Sequence, residues 1–141
     1  MFNFLSKKRS LEEKRRFDIV LALLIVFRSS DRNEVSLIEV NKSVQKLEKT
    51  LGLGYNFLDK MLFSGQLMKD LNSLDSKLII NQYRYPYNGF LPRSHVSLTP
   101  YGIGIAKEIK NSLPKNIINN ITSVAKESFD DYKETVKFLS A

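Results

Sequence analysis

The fold is decided by the stretch LIINQYRYPYNGFLPRSHVSLTPYGIGIA, residues 78–106, because the spacing of its apolar residues changes along it. Residues 78–83 are rich in β-forming side chains, and residues 94–99 alternate between polar and apolar, so both segments predict strands. Between them lies Asn88-Gly89, a strong signal for a hairpin. Thr99-Pro100 then predicts the start of a helix, with threonine as the cap and proline at the first helical position.

On either side of the hairpin, apolar residues recur at gaps of three and four, the period of an amphipathic helix. Upstream, this period predicts helices over residues 10–27, 36–51 and 64–77, each preceded or opened by a serine that can serve as the N-cap. Residues 53–63 are compatible with a further short helix. Downstream of Pro114 the same period predicts one long helix of roughly 25 residues.

The most apolar stretch of the chain is residues 19–27, which are nine in number. A helix needs about 20 apolar residues to cross a bilayer, so we expect these nine to form a buried core helix and expect no membrane partner. The chain contains no cysteine, which excludes disulfides and suits a reducing compartment. We therefore expect a cytoplasmic protein.

Two parts of the chain resemble known families. Residues 96–106, VSLTPYGIGIA, resemble the second wing strand and following helix of PadR-like and MarR-like regulators. Residues 44–71, with QKL, YNF and FSGQLMKDL, resemble small archaeal and bacterial winged-helix proteins, including antitoxins of the Panacea type. The resemblance implies a mainly α (α+β) fold, a winged helix-turn-helix with a two-stranded β wing and a long C-terminal helix. The corresponding domains are a basic N-terminal arm (1–9), a winged-helix domain (10–113) and a C-terminal dimerisation helix (114–141).

The charge distribution favours a polyanionic partner. The formal net charge is +7, and no carboxylate occurs between Asp75 and Glu108, so a positive field is confined to part of the molecule. A solvated basic face without a partner would carry the same charge. The basic residues near the N-terminus would form a flexible phosphate-binding arm or a solubilising leader: Lys7, Lys8, Arg9, Lys14, Arg15 and Arg16.

Candidate DNA contacts lie on the 64–77 helix and on the wing. Glutamine and asparagine can pair with adenine, lysine can reach guanine or phosphate, and wing arginines can follow the backbone or enter a minor groove. Asp70 and Asp75 argue against this role, because carboxylates repel phosphate unless they are turned away or paired. The candidate DNA-binding residues are Gln66, Lys69, Asn72, Ser73, Lys77, Arg84, Tyr85, Tyr87, Arg93 and His95.

Catalysis finds little support in the sequence. His95 is the only histidine, it has no cysteine or nearby carboxylate to complete a metal site, and no nucleophile and base are paired. The glycine pairs at 52–54 and 102–104 lack the lysine and serine or threonine of a phosphate loop. We therefore expect no enzyme, no cofactor and no metal.

The long last helix predicts a homodimer, because its apolar stripe is longer than a winged-helix core of ~100 residues covers and an exposed stripe of that size is unusual in a monomer. The alternative is that it folds back over the first helix of a monomer. The sequence thus favours sequence-dependent binding of double-stranded DNA by a dimeric regulator, with a protein-interaction module (antitoxin or adaptor) as the alternative. The candidate dimerisation residues are Ile118, Ile121, Ala125, Phe129, Tyr132, Val136 and Leu139.

Overall fold

The protein is mainly helical and carries a small antiparallel sheet. The computed structural model describes residues 2–57, 64–87 and 90–140, and their side chains over 11–57, 64–83 and 94–128. The elements within these residues are α1 (Phe2–Ser29), β1 (Val35–Ser36), α2 (Leu37–Leu51), α3 (Gly65–Ser76), β2 (Ile80–Tyr87), β3 (Phe90–Leu98), α4 (Pro100–Ser112) and α5 (Lys115–Ser140).

Helix α1 is the centre of the core. Each of residues 19–27 is at most 7% exposed, which confirms the predicted core helix, since a helix that is apolar all round has to be covered all round. Helices α3, α4 and α5 and strand β3 pack against it. The helix begins at Phe2, so residues 2–9 continue α1, and the expected cap at Ser10 is wrong. Across the described ranges, α1 included, the helices lack the length or the apolar character to cross a membrane.

The three strands form one antiparallel sheet in the order β1-β3-β2, which confirms the predicted hairpin and extends it. Both hairpin strands are longer than the sequence predicts, and Pro86 lies at an irregularity in the pairing between Tyr85 and Tyr87, a place where a missing ladder donor is tolerated. Strand β1 was not predicted, because its two residues are too few to show a period. Val35 pairs with Val96 and places β1 at the free edge of β3.

The predicted helix caps are present at three helix starts. The side chains of Ser36, Ser64 and Thr99 accept hydrogen bonds from the backbone amides of the residues three positions later. Each bond satisfies an amide that the first turn of a helix leaves unpaired. Helix α2 ends at Gly52, whose positive φ of 59° is the conformation that glycine adopts without steric cost.

Residues 53–57 are not helical, so a helix over the whole of 53–63 is wrong, and residues 58–63 lie outside the described ones. The first part of this connection is fixed by α2, because the Glu48 carboxylate accepts hydrogen bonds from the amides of Leu53 (2.8 Å) and Gly54 (3.0 Å). Tyr55 follows and is 2% exposed. The connection therefore places the buried Tyr55 side chain near the start of α3.

Helix α3 ends in a Schellman motif with leucine in the position that usually holds glycine. Leu78 has φ 61°, and the amides of Leu78 and Ile79 donate to the carbonyls of Asp75 and Leu74, both at 3.0 Å. This pattern satisfies carbonyls that the last turn leaves unpaired. Leu78 is consequently 70% exposed.

The start of α4 is packed directly on the start of β2. The Thr99 hydroxyl donates to the carbonyl oxygens of Leu78 (2.6 Å) and Ile79 (3.1 Å) and accepts from the Gly102 amide (2.9 Å). A Cβ atom at Gly102 would overlap the Ile79 carbonyl oxygen, whereas a Cβ atom at Gly104 would meet nothing within 4 Å. The Thr-Pro-x-Gly sequence therefore allows the first turn of α4 to pack in van der Waals contact with the start of β2.

Gly102→Ala should destabilise the protein and Gly104→Ala should not. The alanine methyl at residue 102 would push α4 away from β2 at a cost of about 1–3 kcal/mol, the range of overpacking in a close-packed site. At the exposed residue 104, alanine should stabilise α4 by up to about 1 kcal/mol through helix propensity. Urea unfolding of both variants measures the difference. Equal free energies of unfolding for the two would contradict the close contact.

Candidate nucleic-acid interface

The exposed face of α3 is a polar stripe opposite its leucines. Leu67, Leu71 and Leu74 are at most 1% exposed and point to the core. The exposed residues of α3 follow each other at gaps of four, three and four: Gly65, Lys69, Asn72 and Ser76. Gln66 and Ser73 are half-buried at the edges of this stripe. Ser73 lies beside Lys69 and Asn72 on this surface, whereas Gln66 donates its side-chain amide to the buried Asp70 carboxylate at 2.8 Å.

Asp70 does not belong to that surface. Its carboxylate is buried beneath α3 and is held by three side chains from three parts of the chain. Arg16 Nε of α1 lies 2.8 Å from Oδ2, the Tyr55 hydroxyl donates to Oδ2 at 2.6 Å, and Gln66 Nε2 donates to Oδ1 at 2.8 Å. The side chains of Asp70 and Arg16 are 4% and 14% exposed. The objection that Asp70 would repel phosphate is therefore removed by its burial and pairing.

The electrostatics of this cluster follow from burial and from the Asp70 charge. Burial raises the pKa of the Tyr55 phenol, and the hydrogen bond to Asp70 and its negative charge raise it further. For Arg16, burial acts to lower the pKa, but the hydrogen bond and the charge of Asp70 outweigh it and leave the pKa raised. Tyr55 is consequently neutral and Arg16 cationic at physiological pH, so Arg16 and the Asp70 carboxylate compensate each other's charge.

Asp75 is likewise engaged within the protein. Gln82 of β2 donates from Nε2 to Asn72 Oδ1 (2.9 Å) and to Asp75 Oδ2 (3.3 Å). Gln82 thus joins the wing to the exposed edge of α3 and uses one acceptor position of Asn72. The sequence analysis missed Gln82. The signal that was available is the strand alternation, which puts Gln82 on the same face of β2 as the buried Ile80.

Two lysines add positive charge to α3, Lys69 within the stripe and Lys77 at its C-terminal end. Lys69 and Lys77 are exposed, and Lys77 Nζ lies 5.2 Å from the centre of the Phe17 ring of α1, within the range of a cation–π contact. Lys77 caps the C-terminal end of α3, where a positive charge also complements the helix dipole. Both ammonium groups remain accessible to an anionic ligand.

The predicted wing residues lie on β2 and β3. The backbone places Arg84, Tyr85 and Tyr87 on β2 and Arg93 on β3; their side chains lie outside the described ones. His95 is half-buried in the central strand, where it pairs with Ser36 of β1 and Tyr83 of β2. His95 is thus a residue of the middle strand rather than of the tip of the wing.

The basic residues expected to form an N-terminal arm have structural partners where their side chains are described. Arg15 donates to the carbonyl oxygens of Leu51 (2.9 Å) and Gly52 (3.4 Å) at the end of α2, and Lys14 pairs with Asp18 at 2.8 Å. Arg16 is bound to Asp70, and residues 14–16 lie within helix α1, so a flexible arm over these residues is wrong, although Lys14 and Arg15 are exposed. The side chains of Lys7, Lys8 and Arg9 lie outside the described ones.

The stripe on α5 divides into two parts. Ile121 and Ala125 are 0% and 4% exposed and pack with α1 and α2 of their own chain, so they offer no surface to a partner, and Ile118 is half-buried. The alternative of a helix folded back on α1 therefore holds for this first part. For Phe129, Tyr132, Val136 and Leu139 the helix is described but the side chains are not.

Neither metal-binding clusters among the described residues nor similarity to other proteins identifies the function of this chain. Among the described residues, no group of three or more histidine, aspartate or glutamate side chains could hold a metal ion. Comparison of the chain with protein-family models, characterised proteins and solved structures finds no match. The resemblance to winged-helix regulators thus stays a prediction, and function has to be argued from the geometry of the surfaces described above.

Asp70→Asn should destabilise the protein by about 3 kcal/mol or more, because it leaves the poorly solvated Arg16 guanidinium without its counter-charge. The isosteric amide keeps the shape of the site but replaces one acceptor oxygen with an NH2 donor, so the loss reports on the charge of Asp70 and on its hydrogen bonds together. Asp18→Asn is the matched control: it removes the carboxylate from the Lys14 pair, whose lysine is 70% exposed, and should cost at most about 0.5 kcal/mol. Chemical denaturation of both variants would reject a buried ion pair if the two losses were similar.

Proposed function

We propose that this chain binds double-stranded DNA as a winged-helix protein, with α3 in the major groove and the β2–β3 hairpin as the wing. The observation that carries the proposal is the exposed face of α3. It presents Lys69, Asn72 and Lys77 to solvent, while the Asp70 carboxylate is turned inward onto Arg16. The surface offered to a phosphate backbone therefore carries two lysines and an asparagine, with the half-buried Asp75 at its edge, and lysines on a polar surface support the proposal of a nucleic-acid ligand.

The dimensions and the topology support the same proposal. Helix α3 has 12 residues and a length of about 18 Å, and a major groove of about 12 Å width admits one helix. The element order α1-β1-α2-α3-β2-β3, with β1 paired to β3, accords with a winged helix. The spacing of the two helices does not add to this support. Residues 52–64 separate α2 from α3, whereas a simple helix-turn-helix has a turn of three or four residues.

The alternative function, a protein-interaction module such as an antitoxin or adaptor, keeps only part of its support. Of the two acidic residues on α3, Asp70 is buried and paired with Arg16, whereas Asp75 is half-buried and accepts a hydrogen bond from the amide of Gln82, a neutral donor that does not balance its charge. Exposed apolar residues such as Leu78 and Tyr101 are ordinary on a soluble surface when they stand singly. Within this proposal, the role we assign to the protein is that of a cytoplasmic regulator of transcription.

Binding to duplex DNA should depend steeply on salt. If about six phosphates are neutralised, the logarithm of affinity should fall against the logarithm of salt concentration with a slope near −5. Fluorescence anisotropy on mixed genomic duplexes at about 50 mM and about 200 mM salt measures the slope. Lys69→Ala should weaken binding, whereas Lys107→Ala, at an exposed lysine of α4, is the matched control. Absence of binding at the lower salt would reject the DNA proposal in favour of the interaction module.

We further propose that the protein is a dimer through the last three turns of α5. The first part of α5 is anchored by burial of Ile121 and by a hydrogen bond of 2.9 Å from Ser128 to Glu39 of α2. Beyond Ser128 the helix continues to Ser140, and the sequence places Phe129, Tyr132, Val136 and Leu139 at helical spacing. Each large apolar side chain buried between two copies would contribute about 1.5–3 kcal/mol.

Phe129→Lys together with Val136→Lys should give a folded monomer, because two charges in the apolar stripe oppose its burial. The control is Ser123→Lys, which adds a charge on the exposed side of the first part of α5 and should leave the dimer intact. Light scattering at tens of micromolar, about tenfold above a typical ~1 μM dimer constant, distinguishes the two states. A monomeric unmodified chain at that concentration would contradict the dimer.

A further inference from the structure

The two arginines of the wing lie on opposite faces of the β2–β3 hairpin. The pairing of β2 with β3 is regular from Ile80 as far as Tyr85, so successive residues alternate between the two faces of the sheet. Arg84 therefore shares a face with Ile80 and Gln82. Arg93 pairs with Tyr85 and lies on the other face.

The face that carries Arg84 is the face against α3. Ile80 is fully buried in the core, and Gln82 contacts Asn72 on the exposed edge of α3 at 2.9 Å. Arg84 is the next residue on this face, about 7 Å farther along the strand at about 3.3–3.4 Å per residue. The positions of Asn72, Gln82 and Arg84 thus form one continuous path from α3 onto the wing.

The face that carries Arg93 is the outer face of the sheet. It also carries His95 and Tyr83, which pair with each other, and Ser36 of β1, which pairs with His95 from the other side. The thickness of the sheet separates these positions from α3. A duplex seated on the exposed stripe of α3 meets the hairpin on the α3 side and not on this outer face.

From this register we infer that Arg84, and not Arg93, is the wing arginine that binds the phosphate backbone of the duplex held by α3. The inference rests on the proposed DNA binding and assigns the wing contact within it. A guanidinium suits this contact because it donates two parallel hydrogen bonds to phosphate oxygens. The sequence pattern names both Arg84 and Arg93, and the strand register distinguishes them.

The salt dependence of binding tests the assignment. Removing one phosphate contact lowers the salt slope by about 0.9. Between about 50 and about 200 mM salt, the affinity of Arg84→Ala should therefore fall about 3.5-fold less than that of the unmodified chain. Arg84→Lys keeps the charge and should retain the unmodified slope, which separates a phosphate contact from a change in folding. Arg93→Ala is the matched control and should also retain the unmodified slope.

The remaining outcomes separate the two proposals. Equal reductions of slope by Arg84→Ala and Arg93→Ala, or a reduction by Arg93→Ala alone, would overturn the assignment and leave DNA binding in place. A slope that Arg84→Lys fails to restore would overturn it too. An unmodified chain that does not bind duplex DNA at about 50 mM salt would overturn the proposed function itself, and the assignment with it.

Discussion

Residues 19–27 impose the constraint on which the rest of the fold depends, because nine consecutive apolar residues of one helix have to be removed from water on every side. A single layer of secondary structure cannot cover this helix on every side. Helices α3, α4 and α5 and strand β3 all pack on α1. Since the leucines of α3 are committed to the core, its opposite face is fixed as the exposed one. The candidate interface is in this sense a consequence of how α1 is covered.

The Asp70–Arg16 pair links α3 to α1 in the interior of the protein. Burial of two charges costs several kcal/mol per ion, and the Coulomb attraction with its added hydrogen bonds roughly offsets that cost. What the pair adds is geometric specificity: a carboxylate with bonds to Arg16, Tyr55 and Gln66 fixes α1, the connection before α3, and α3 itself in one arrangement. The same bonds withdraw a negative charge from the exposed face. Fold specificity and electrostatic suitability for a polyanion thus have one origin.

Local patterns predicted much of the fold because their physical causes are local. A cap such as Ser64 and a positive-φ glycine such as Gly52 act within one helical turn, and the hairpin pairs two strands that are adjacent in the sequence. The predicted Asn88-Gly89 turn itself lies outside the described residues. The failures are also physical. Strand β1 has two residues and no period, and α1 extends to Phe2 although the residues before Ser10 lack the apolar pattern that marks its centre. Leu78 and Ile79 are not part of the strand predicted over 78–83, because they form the turn from α3 into β2.

The sequence by itself determined the helices, the hairpin, the caps and the excess of positive charge, since each depends on residues a few positions apart. Only the tertiary structure decided which side chains of those elements are available. Asp70 and Arg16 are 54 residues apart in the chain, Ser128 and Glu39 are 89 apart, and no periodicity records such pairs. An acidic residue on an amphipathic helix can lie on the surface, where it repels an anionic ligand, or in the interior, where it balances the charge of an arginine. The choice between these is made by packing, because only packing brings distant charges to hydrogen-bonding distance and excludes water from them.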